Sequence, residues 1–107
     1  MPLRLKSELD KLEEYLINHR ITFERIDEDM VCDENRRPIK MDRHQIYVPE
    51  AGKNCRWDAI CHTGSYGCEL GLLEIYGQLV DYKADGDSVV GFLTAEDVIK
   101  RIEEIHE

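Results

Sequence analysis

The sequence predicts an α+β fold: a two-layer sandwich with a mostly antiparallel sheet of four or five strands, an N-terminal helix and a C-terminal helix. Three observations carry this. Apolar residues recur at helical spacing only near the two ends of the 107-residue chain. The middle alternates with the two-residue period of half-buried strands. The connections between those strands are short, which favours antiparallel neighbours. Two amphipathic helices each need an apolar surface, and one face of a single sheet serves both.

Taken in order, Leu5, Leu9, Leu12 and Leu16 form one stripe of a helix over residues 5–19. Ser7, with Asp10 three residues on, has the form of a capping box, and Asn18 and His19 end the helix. Ile21–Ile26 reads as a strand, rich in β-branched and aromatic residues, with Ile21 and Phe23 on one face. Residues 27–42 lose all periodicity, and Asp33-Glu34-Asn35 with Pro38 suggests the tip of a hairpin. His44–Pro49 is a short strand with Ile46 and Val48 on one side and Tyr47 on the other; Pro49 sets its end.

Residues 56–63 make the next strand. Trp57, Ala59 and Cys61 fall on one face, and Asp58, Ile60 and His62 on the other. A glycine-rich loop, GSYGCELG, spans residues 64–71. Leu72–Val80 follows as a strand, with Leu73, Ile75 and Leu79 opposite Leu72, Glu74, Tyr76 and Gln78. Gly77 interrupts the apolar face and suggests a bulge or a close packing partner. Residues 81–87 read as an acidic turn centred on Asp-Gly, and residues 88–93 as the last strand. Thr94, with Asp97, caps a final helix whose buried stripe is Ala95, Val98, Ile99, Ile102 and Ile105.

At this length a single domain, residues 1–107, is expected, with a core that needs no staples. The formal net charge is −9. Residues 1–29 carry five Lys/Arg against eight Asp/Glu, residues 30–58 six against five, and residues 59–107 three against ten. Such a surface repels phosphate backbones, so a generic nucleic-acid binder is disfavoured. It serves solubility, or it presents an acidic face to the basic groove of a partner. Four cysteines without a secretory signal point to reduced thiols and a cytoplasmic setting. No apolar run is long enough to span a membrane.

Chemistry is concentrated between Trp57 and Ile75. Cys55, Cys61, His62 and Cys68 are of metal-ligand type. The gaps of five and six residues between the cysteines do not match the paired spacing of structural zinc sites, however. An extended stretch from Cys55 to Cys61 separates the two sulfurs by about 20 Å. No metal or other cofactor is therefore assigned, and Cys61 is read as a small apolar residue beside Trp57. Adjacent strand residues point apart, so Cys61 and His62 make no dyad; one would need His44 or His19 to be brought in by the fold. Ser65 lies in GSYG and not in a nucleophile elbow. Gly64, Gly67 and Gly71 match no phosphate-binding pattern, and a tight hairpin connection accounts for them. No catalytic residue is assigned; Ser65, Tyr66 and Cys68 remain loop candidates.

Two binding surfaces stand out. Arg36, Arg37, Lys40 and Arg43 form the one basic cluster, either a clamp for a small anion or acidic partner or simply a solvated hairpin tip. If helices cover the side of Trp57, Ile46 and Ile75, then Tyr47, Ile60, His62, Leu72 and Tyr76 lie on the opposite, open face. Aromatics mixed with His and aliphatics suit a protein contact. If a helix covers that side instead, the same residues are ordinary core.

The runs WDAICHTGSYGCELGLLEIYG and DSVVGFLTAEDVIKRI resemble small uncharacterised proteins of Gram-positive bacteria and their phages or prophages, over residues 44–105 or so. The resemblance implies a cytoplasmic accessory protein with no known activity, and it carries over no site residue. A phage setting favours an inhibitor that acts by binding. The expected function is a non-enzymatic protein-interaction module using the open sheet face, on a protein partner or as a homodimer. The alternatives are a small Cys/His-centred enzyme or metal-binding protein, and an acidic inhibitor that mimics nucleic-acid charge.

Overall fold

A computed structural model describes residues 6–105. It has the architecture expected of the sequence, α+β, with a five-stranded antiparallel sheet and a helix toward each end. The elements are α1 (Glu8–Asn18), β1 (Glu24–Glu28), β2 (Val31–Cys32), β3 (Pro38–Lys40), β4 (Arg43–Val48), β5 (Trp57–Ile60), β6 (Leu73–Gly77), α2 (Tyr82–Asp85), β7 (Val89–Leu93) and α3 (Ala95–Ile105). The main sheet has the order β1-β4-β5-β6-β7, an up-and-down meander into which the separate β2–β3 hairpin is inserted. Every pairing is antiparallel.

The helices start where the side chains allow. Ser7 Oγ accepts from the Asp10 amide at 3.0 Å, and Asp10 Oδ2 accepts from the Ser7 amide at 3.2 Å, closing the capping box. Thr94 and Asp97 repeat the same exchange at α3. Leu5, the first residue of the proposed α1 stripe, lies outside the described residues. Ile105, expected in the α3 stripe, is 40% exposed at the end of the helix and Ile99 is half-buried, but Leu9, Leu12 and Leu16 from α1 and Ala95, Val98 and Ile102 from α3 are buried. They pack on Ile46, Val48, Trp57, Ala59, Leu73 and Ile75, so both helices cover the same sheet face. Each such aliphatic side chain withdrawn from water contributes about 2 kcal/mol. Glu8 Oε1 accepts from the Ala95 amide at 3.1 Å and ties the two helix starts together.

Several boundaries differ from the expectation. The first strand begins at Glu24 and not at Ile21, because Arg20 turns left-handed (φ 55) and the Ile21 amide donates to Leu16 O, closing α1. Ile21 and Phe23 still pack against the core. The β5 strand stops at Ile60, since the His62 amide is taken by Ser65 Oγ at 3.0 Å. Residues 81–87 hold one turn of helix, α2, capped by Asp81, where only a turn was expected. The β6 strand ends at Gly77 (φ 101), where a Cβ would lie 2.5 Å from Arg56 O; the close approach expected of this glycine is to the backbone before Trp57. Leu79 is buried all the same.

Candidate functional site

The two faces of the sheet are read from its register. Glu24, Tyr47, Asp58, Tyr76 and Val89 pair in one row across the five strands. Ile26, Gln45, Ile60 and Glu74 form the next row on the same side. These alternate with Arg25, Ile46, Ala59, Ile75 and Val90, which face the helices. Of the residues proposed from sequence, Tyr47, Ile60 and Leu72 are half-buried, and Tyr76 is 58% exposed. Ile26, Gln45 and Val89 complete the surface; their places follow only from strand pairing.

Polar groups are threaded through this face. Gln45 Nε2 donates to Asp58 Oδ2 at 2.7 Å, and Arg43 Nε donates to Gln45 Oε1 at 3.1 Å. Arg43 also donates to the Tyr47 hydroxyl and lies 5.5 Å from its ring centroid. Burial pushes the Asp58 carboxyl above the usual carboxylate range; Gln45 opposes this and the Glu74 charge adds to it. His62 lies beyond the end of β5, so strand pairing does not assign it a face; it is half-buried, and its Nδ1 is buried without a hydrogen-bond partner.

The connection from β5 to β6 folds against β7. Gly67 (φ 99) precedes a 3-10 turn, Cys68–Leu70, and its carbonyl accepts from both Leu70 and Leu72. A Cβ at Gly67 would meet the Phe92 backbone at 2.9 Å. Tyr66 O accepts from the Phe92 amide, and the Tyr66 amide donates to Glu74 Oε1. Phe92 has positive φ (58) within an irregularity of the β6–β7 register and is exposed, as are Tyr66 and Leu70. Phe92 was not singled out by the sequence, where it reads as one more strand residue. Ser65 is used locally: its hydroxyl donates to His62 O at 2.8 Å.

A second feature lies on the helix side, at the start of α1. A cavity of about 850 Å³ is lined by residues that include Asp27, Asp42, His44, Cys61 and Cys68. Asp27 Oδ1 is 2.8 Å from His44 Nδ1. Burial raises the Asp27 carboxyl, but His44 and Arg25 outweigh it and hold the group below its ordinary value. Arg25 links this wall to α1 through Asp10 at 2.9 Å and Glu13 at 3.3 Å. Cys61 Sγ donates to Cys68 Sγ at 2.8 Å. The fold thus brings His44 to the cavity that the cysteines line.

The remaining sequence candidates disperse. Cys55 precedes β5 while Cys61 follows it, and Cys55 Sγ donates to Trp57 O. Among the described residues no three His, Cys, Asp or Glu side chains are grouped as ligands for an ion. The basic cluster divides: Arg36 and Arg37 are exposed at the β2–β3 turn, Lys40 pairs with Glu28, and Arg43 is held on the main sheet. Among the described residues no helix is long and apolar enough to cross a membrane. Compared with known proteins, the chain matches no family model, no curated protein and no solved structure.

Proposed function

We propose that this chain is a non-enzymatic protein-interaction module whose open sheet face binds a second copy of itself. One observation carries the reading: α1 and α3 both spend their apolar stripes on the same sheet face, so Tyr47, Ile60 and Tyr76 on the opposite face have neither helix over them. Antiparallel sheets pack face to face through such alternate residues. The face also carries both signs of charge, Arg43 with Glu24, Asp58 and Glu74, which suits a twofold contact in which one patch meets itself.

The test is mass as a function of concentration, by sedimentation equilibrium, for the wild type and for a chain carrying both Ile60→Ala and Tyr76→Ala. A dimer that weakens at least about tenfold in the double variant, with its circular dichroism unchanged, supports the reading. A wild type that stays monomeric up to high concentration overturns the self-association. Dissociation of a complex with a basic protein by moderate salt would instead favour the acidic inhibitor.

A second reading, a small Cys/His-centred enzyme, draws on the Asp27–His44 pair at the wall that Cys61 and Cys68 share. Against it, burial and the contact with Cys68 push the Cys61 thiol up to about 12, far from the thiolate a nucleophile requires.

A further inference from the structure

We propose that Cys61 and Cys68 form a reversible dithiol–disulfide site, oxidised through the cavity by a low-molecular-weight disulfide. The two sulfurs are 2.8 Å apart, and backbone hydrogen bonds on both sides hold the two residues together. The Cys61 amide donates to His44 O at 2.9 Å, which fixes the residue just beyond the end of β5. The Ser65 amide and hydroxyl both bond His62 O, reversing the chain. Gly67, in a conformation that disfavours any side chain, then delivers Cys68 into a 3-10 turn closed by the Gly71 amide on Cys68 O at 2.8 Å. Only six residues separate the cysteines, so the ring to be closed is small and already folded. The other two cysteines lie elsewhere: Cys32 on the exposed hairpin and Cys55 at the far end of β5.

The site has a direction. Cys61 packs against the hydrophobic core, whereas Cys68 lies in the 3-10 turn of the loop, which makes Cys68 the entering sulfur. In the first step Cys68 attacks one sulfur of the small disulfide as its thiolate. The S–S bond breaks, and the released thiolate takes up the proton that Cys68 gave to solvent. In the second step Cys61 loses its proton and attacks Cys68 Sγ, expelling the second small thiol. One small disulfide is reduced to two thiols, and the protein dithiol is oxidised to one disulfide.

The cavity wall selects the reagent. Glu8, Asp10, Asp27, Asp29 and Asp42 line it against Lys6 and Arg25. A cationic disulfide such as cystamine is attracted there, whereas the anionic disulfide of glutathione is repelled.

The experiment treats the full chain with cystamine, caps the remaining thiols with iodoacetamide, and maps tryptic peptides by mass. Cys61 and Cys68 share the peptide after Arg56 that ends at Lys83, so its loss of two hydrogens with no added alkyl groups reports the internal link. The expected result is loss of both thiols of that peptide to the internal link, faster with cystamine than with glutathione disulfide, and full recovery under dithiothreitol. Cys61→Ser should trap cysteamine on residue 68, while Cys68→Ser should leave Cys61 unmodified over the same time. The proposal is overturned if that peptide carries two alkyl groups after treatment, or if the link forms as fast in urea as in the folded chain. Neither outcome bears on self-association through the open face.

Discussion

The same five strands present two surfaces with opposite fates. On the helix side, Ile46, Ala59 and Ile75 lie side by side across three strands and are fully buried. One residue along each strand, Tyr47, Asp58 and Tyr76 make the neighbouring row, and nothing among α1 and α3 covers them. Composition differs as much as burial: the covered row is apolar except at its edge, where Arg25 reaches α1, while the open row mixes aromatics with carboxylates. The difference teaches that burial on one side organises the fold, which frees the other side to carry charge and exposed aromatics.

The largest expected effect separates the two rows directly. Ile75→Ala should cost about 2–5 kcal/mol of stability, since it opens a cavity under both helices. Tyr76→Ala, the next residue, should cost about 1 kcal/mol or less. Urea unfolding of both variants checks the pair, and similar losses would break the distinction.

Gly77→Ala tests the point where the covered row ends. The position needs positive φ, and a Cβ there would press on Arg56 O and Trp57 Cα. A loss of more than about 1 kcal/mol is expected, again by urea unfolding.

The carboxylates sharpen the comparison with the smallest effects and with opposite signs. Asp58, on the open face, has a raised value in the fold because burial penalises its charge. That penalty is complete above the folded value and vanishes below the unfolded value of about 4. Asp58→Asn keeps an acceptor for Gln45, so it should stabilise the protein at neutral pH and do little in acid. Asp27, on the helix side, is depressed: burial opposes the charge, but His44 and Arg25 prevail. Its contribution is present above about pH 4 and lost as pH falls through the folded value. Asp27→Asn should therefore destabilise at neutral pH and lose its effect in acid. Unfolding midpoints of both variants at the two pH values decide it; equal signs at neutral pH would contradict the assignment of environments.

What the sequence determined by itself was local. The period of Leu9, Leu12 and Leu16, the Ser7/Asp10 and Thr94/Asp97 boxes, and the alternation through Ile46, Val48, Trp57 and Ala59 are written in neighbouring residues, because helix and strand geometry repeats over a few positions. They fixed the fold class and the face on which Tyr47, Ile60 and Tyr76 lie. The tertiary structure alone decided the meander order, the insertion of β2–β3, the left-handed closure at Arg20 that moved β1 to Glu24, and the two encounters at the cavity, Asp27 with His44 and Cys61 with Cys68. Those depend on which strands pair and how a loop turns back. The free energy that selects such non-local contacts comes from the burial of the whole core, and no short window of sequence contains it.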